Sequence, residues 1–208
     1  MFNEIIRELK HHAPFTTLGA LSGILVMIFF RQIPSEVSNN VFYTLHPIHV
    51  VLSAFATASM YNLHKCGPFR GKCKLLVILI IGYVGSVGIA TLSDSIIPYM
   101  GEILLDLPNR EIHLGFIEKW WLINPLAIIG VIFAYFKPKT KFPHMGHVLL
   151  STWASLFHII MSLGAIVLWF QYLYIFIFLF LAVWLPCCVS DIVFPLLFAQ
   201  KTHNEKQH

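Results

Sequence analysis

Two stretches decide how this chain is read: HPIHVVLSAFAT at 46–57 and HMGHVLLSTWAS at 144–155. They share His46/His144, His49/His147, Val50/Val148, Leu52/Leu150, Ser53/Ser151 and Ala56/Ala154, and Thr57 is answered by Ser155. Each is followed, at nearly the same distance, by a second matching pair, SDSIIP at 93–98 and SDIVFP at 190–195. Upstream, Pro14 and Gly19 are spaced as Pro125 and Gly130 are. Apolar segments share Leu, Val and Ala by chance. Two HxxH motifs, each followed by an SDxxxP motif, do not arise from that background. The chain reads as an internal duplication.

The material around the motifs is apolar. Of the 208 residues, 57% are hydrophobic and 12% charged, and the mean hydropathy is +0.74. Soluble domains carry about 25% charged residues, so an ordinary cytosolic domain and a nucleic-acid binder are both excluded as readings. Four cysteines are too few for a disulfide scaffold. Apolar runs at 14–30, 43–63, 75–105 and 120–136 each suit a span of roughly 20 residues. The run 148–199 has Asp191 as its one charged residue, is too long for a single span, and divides near 162–170. The first run is followed by further spans and is read as retained rather than cleaved. The expected fold is therefore an all-α polytopic membrane protein of six transmembrane helices, with helix breaks at the SDxxxP motifs.

Basic residues orient the spans. Segment 65–74 holds Lys65, Arg70, Lys72 and Lys74, and segment 137–141 holds Lys137, Lys139 and Lys141, both without an acid. With Arg7, Lys10, Lys201 and Lys206, eleven of the 14 Lys and Arg residues fall on one side. Both termini are then cytoplasmic. Three spans per copy reverse the polarity of the second, giving an inverted 3+3 repeat, an architecture that recurs in secondary transporters. The expected units are a cytoplasmic segment 1–13, a first repeat 14–105, an external loop 106–119, a second repeat 120–199 and a cytoplasmic tail 200–208.

The repeated residues carry the chemistry. Histidines three apart on a helix share a face and reach one ion, and an intramembrane carboxylate is costly enough to count as functional by default. Pro47 after His46 suits a first helical turn, which places that pair at the outer end of the second span. Two ligand sets follow: an outer one of His46, His49 and Asp94, with His113 or Glu118 as candidate additions, and an inner one of His144, His147 and Asp191, with His11, His12, Cys187 or Cys188. Imidazole with carboxylate suits a divalent transition metal of the Zn, Mn or Fe class. Ser53, Ser93, Ser151 and Ser190 are candidate path-lining residues. Against these stand plainer readings: an aspartate capping a broken helix, an interfacial histidine at a helix start, and serines or cysteines that merely pack. A bis-histidine haem site built on His144 and His158 lacks partner histidines on facing spans.

The expected function is transport of a divalent transition-metal cation or of a metal- or proton-coupled solute. The alternative is a membrane-embedded metal-dependent hydrolase or oxidoreductase acting on a lipid-like substrate at the cytoplasmic-side set. No HExxH motif or nucleophile elbow supports that alternative. A purely structural protein ranks third, since it gives no use for paired histidines beside buried acids. Expected partners are membrane lipid, the metal ion or small solute, and a second copy of the chain, with no nucleic acid.

Overall fold

The computed structural model describes residues 2–29, 33–66, 74–139, 141–163 and 168–200, with side chains left out at 2–5, 7, 8, 11, 12, 66, 141–145, 188, 191, 192, 196, 199 and 200. All regular structure among the described residues is helical. The helices are α1 (Phe2–Phe29), α2 (Ser35–Cys66), α3 (Leu75–Thr91), α4 (Ile97–Leu104), α5 (Gly115–Glu118), α6 (Trp120–Phe136), α7 (Lys141–Ser162), α8 (Trp169–Cys188) and α9 (Phe194–Gln200). Three stretches, Ser35–Lys65, Leu75–Leu104 and Trp169–Cys187, are long and apolar enough to cross a membrane; Ala13–Phe29 and Trp120–Phe136 are shorter apolar helices.

The helix breaks expected at SDxxxP take another form. Leu92–Ile96 joins α3 to α4, and Val189–Val193 joins α8 to α9, each as a five-residue π-turn through which the helix continues. The cause is local. Pro98 and Pro195 stand four residues after Asp94 and Asp191 and lack the N–H that would close an α-turn onto the aspartate carbonyl. The turn widens instead, and the Ile97 N–H bonds the Leu92 carbonyl five residues back. Such single π-turns inside α-helices are frequent at functional sites.

The expectation drawn from Pro47 is also corrected. Pro47 lies inside α2 rather than in its first turn. His46 is eleven residues past Ser35, about 16 Å along the helix at 1.5 Å per residue. A proline in a helix interior removes one backbone bond and does not by itself end the helix when tertiary packing holds both sides. The first His pair therefore sits deep in α2, not at its end.

Packing brings α2 and α7 together as the central pair. Around them α6 packs on α2 and α3, while α1 packs on α7 and α8; α9 lies against α2 and α4 against α7. Close approach is made by small residues. A Cβ on Gly130 would lie 2.5 Å from the Val51 carbonyl oxygen and 3.0 Å from Ala54, so α6 rests on the α2 backbone itself. Along α3, Gly82 faces Val131 and Ala58 and Gly85 faces Phe194 and Thr57, whereas Gly88 meets nothing within 4 Å among the described residues. The outward faces keep large apolar side chains exposed, among them Leu18 and Leu25 of α1, Ile80 of α3, Phe133 of α6 and Leu173 of α8.

Candidate metal centre

The α3–α4 π-turn places Asp94, wholly buried, against the face of α2 that carries the HxxH pair. His46 Nδ1–H donates to Asp94 Oδ2 at 2.8 Å, and His49 Nδ1–H donates to the same oxygen at 2.6 Å. The other oxygen, Oδ1, accepts from Ser93 Oγ at 2.7 Å and from Ser151 Oγ of α7 at 2.6 Å. Asp94 thus accepts four hydrogen bonds, about the capacity of a carboxylate. The buried backbone around it is tied in as well, with Ser155 Oγ donating to the Ser93 carbonyl at 2.9 Å.

His46, His49 and Asp94 each offer a ligand atom within 4.8 Å of the others, and all three are buried. The fit to a metal rests on donor chemistry. Two imidazoles and a carboxylate are the donor set that zinc and its first-row neighbours take, with positions left open. Among the described residues His49 Nε2 is buried without a hydrogen-bond partner, which is costly for a polar atom in a protein interior. Each Nδ1 is engaged by Asp94 through one proton, so an ion held among the three would take the place of those two protons.

His147 lies beside this group. Its ring stacks on His49, 5.7 Å between centroids and 11° from parallel. One member of the inner set foreseen from sequence is therefore in contact with the outer set. The remaining members of the inner set, His144 and Asp191 with His11, His12 and Cys188, have side chains outside the described residues. Cys187 is buried among Val148, Val183 and Phe15. The four serines are all buried. Ser151 lies 3.2 Å from Ser93, and Ser53 lies 3.4 Å from Ser190, which also meets Thr57 Oγ1 at 3.0 Å.

His113 and Glu118 are brought together, but away from Asp94. Tyr43 donates its hydroxyl to Glu118 Oε2, the Leu114 N–H donates to Oε1 at 2.8 Å, and His113 Nδ1 lies 3.4 Å from Oε2. Partial burial pushes the Glu118 carboxyl up, but Tyr43, the Leu114 amide and His113 outweigh it and leave the group below the ordinary glutamate range. The Phe42 ring stands between the two groups. It stacks on His46 at 5.2 Å and meets His113 at 6.2 Å.

Sequence reasoning passed over one pair altogether. Glu102 and His158 are both fully buried, with His158 Nδ1 2.7 Å from Glu102 Oε1. In sequence Glu102 belongs to no motif, and His158 enters only through the haem reading that lacks partner histidines. The available signal was a second ionisable residue inside each apolar run, Glu102 beside Asp94 in 75–105 and His158 beside Asp191 in 148–199. No family model, curated protein or solved structure matches the chain.

Proposed function

We propose that this chain is a multi-pass membrane transporter for a divalent transition-metal cation, built as an inverted 3+3 repeat of six spans with both termini cytoplasmic. The observation that carries the proposal is the buried His46–His49–Asp94 group with His147 stacked on His49. A dry ligand cluster at the contact of two central helices is where a carrier that rocks one half against the other would hold its cargo.

The pairing of equivalent positions supports the repeat. Ser93 with Ser151 corresponds to Ser190 with Ser53, and both pairs are in contact. Gly130 rests on Ala54 as Gly19 rests on Thr152. The α2–α6 packing answers α7–α1, and α3–α6 answers α8–α1. Both SDxxxP segments are π-turns. His49 and His147 are themselves equivalent positions, so their stacking is what a two-fold relation between the halves would produce.

Exposed Trp120, Trp121 and Trp169 head α6 and α8, an interfacial tryptophan belt on the side opposite the basic loops. In this reading the imidazoles and Asp94 hold the cation. Ser93 and Ser151 hold Asp94 in place, and the exposed apolar side chains face lipid.

Flux of Zn²⁺, Mn²⁺, Fe²⁺, Co²⁺ and Ni²⁺ into proteoliposomes tests the proposal, with His49→Ala and His147→Ala in parallel. Selective flux, lost in both variants, is expected. Absence of flux for every ion in the native protein overturns it.

A further inference from the structure

We propose that Glu102 and His158 form a second cation site, an outer station separated from the His46–His49–Asp94 group by the Phe42 ring. This deepens the transport reading and rests on it for the class of cation, a divalent transition metal.

Both side chains are fully buried and face one another at 2.7 Å. Each keeps a second polar atom, Glu102 Oε2 and His158 Nε2, buried with no hydrogen-bond partner among the described residues. A carboxylate and an imidazole that meet through one proton can exchange it for an ion held by His158 Nδ1 and the Glu102 oxygens, and buried polar atoms of native proteins are seldom left without partners. The same construction recurs at the central group, where a carboxylate oxygen takes Nδ1 and His49 Nε2 is unpartnered. Imidazole with carboxylate again selects first-row divalent ions over Na⁺ or Mg²⁺.

A ring and a cavity adjoin the pair on one flank. The His113 ring meets His158 edge-on, 5.3 Å between centroids. Its Nδ1 is only loosely engaged by Glu118 at 3.4 Å, so the ring can turn to add a third nitrogen. His113 also lines a cavity of about 330 Å³ together with Glu36, Asn39, Asn109, Glu111 and Met161. Two exposed glutamates at such a mouth raise the local concentration of cations. Across the other flank, Phe42 touches His158 at 5.5 Å and His46 at 5.2 Å. A single aromatic ring thus parts the two stations, and its rotation is the barrier between them.

Cobalt(II) alone is the probe, counted by equilibrium dialysis on the full chain in lipid nanodiscs and followed by its visible absorption. The native protein is expected to take two ions per chain. Glu102→Gln and His158→Gln should each retain one ion, and His49→Gln should retain the other; the ion retained shows that the variant is folded. One ion in the native protein, lost in His49→Gln and kept in both outer variants, overturns the outer station and leaves the transport reading standing. One ion lost only in the outer variants removes the central site and keeps the outer one. No bound ion overturns both.

Discussion

The imidazole rings of His49 and His147 lie 5.7 Å apart and 11° from parallel, although 98 positions separate them in the chain. Through this contact the environment of Asp94 becomes a shared property of two distant segments. His49 holds one carboxylate oxygen, and Ser151, one turn beyond His147 on α7, holds the other. Changes on α7 should therefore be felt on α3, which frames the predictions that follow.

Ser151→Ala removes one donor from Asp94 Oδ1. A hydrogen bond to a charged group contributes about 1.5–3 kcal/mol, so a clear fall in melting temperature is expected. Ser53→Ala disturbs only a neutral contact at 3.4 Å and should cost under about 1 kcal/mol. Thermal unfolding of both variants in the same detergent checks the order; equal shifts would contradict it.

Asp94→Asn tests the four-fold acceptance directly. An amide offers one acceptor oxygen and presents its NH₂ to groups that are themselves donors. Two of the four bonds are lost and two donors face a donor. The variant should be destabilised by more than Ser151→Ala and should lose central-site metal, read by dialysis, while a Glu102–His158 ion is retained.

Gly115 is fixed by His46. A Cβ there would lie 2.7 Å from His46 Nε2 and 2.6 Å from Ile123 Cδ1. Gly115→Ala should turn the His46 ring and weaken metal binding by about 10–100-fold, the usual effect of disturbing a ligand's support. Gly88→Ala has open space around it and should leave affinity unchanged, which isothermal titration of both variants would show.

Glu118 gives a pH dependence of definite sign. Its folded-state value is lowered, so its contribution is complete above the ordinary glutamate value of about 4.3. That contribution is lost as pH falls through the lower folded value. Glu118 is more than a third exposed, so the effect is local. Faster hydrogen exchange at the Leu114 amide is expected only on strong acidification. Glu118→Gln should bring that fast exchange up to neutral pH.

Much of the helical layout is legible in sequence, because the apolar runs are long and punctuated by basic loops. The run 120–136 coincides with α6, and the division placed at 162–170 falls between Ser162 and Trp169. The trio His46, His49 and Asp94 is legible as well, since helical spacing puts the histidines on one face and an acid deep in an apolar run must find partners. Depth is not. Pro47 signals a first turn equally well as an interior residue held by packing, and only tertiary contacts decide. The Glu102–His158 pair is hidden for a different reason: its members are 56 residues apart and neither belongs to a repeated motif.

The π-turn at Leu92–Ile96 has a consequence for everything downstream of it. An α-helix advances its facing by about 100° per residue, and a widened turn absorbs an extra residue without that advance. The segment carrying Pro98 and Glu102 is accordingly set at a different azimuth from the one an unbroken α3 would give it. Asp94 then addresses α2 and the middle of α7, and Glu102 the far end of α7. Proline at the fourth position after aspartate works as an indexing device, clocking one rod into two facings.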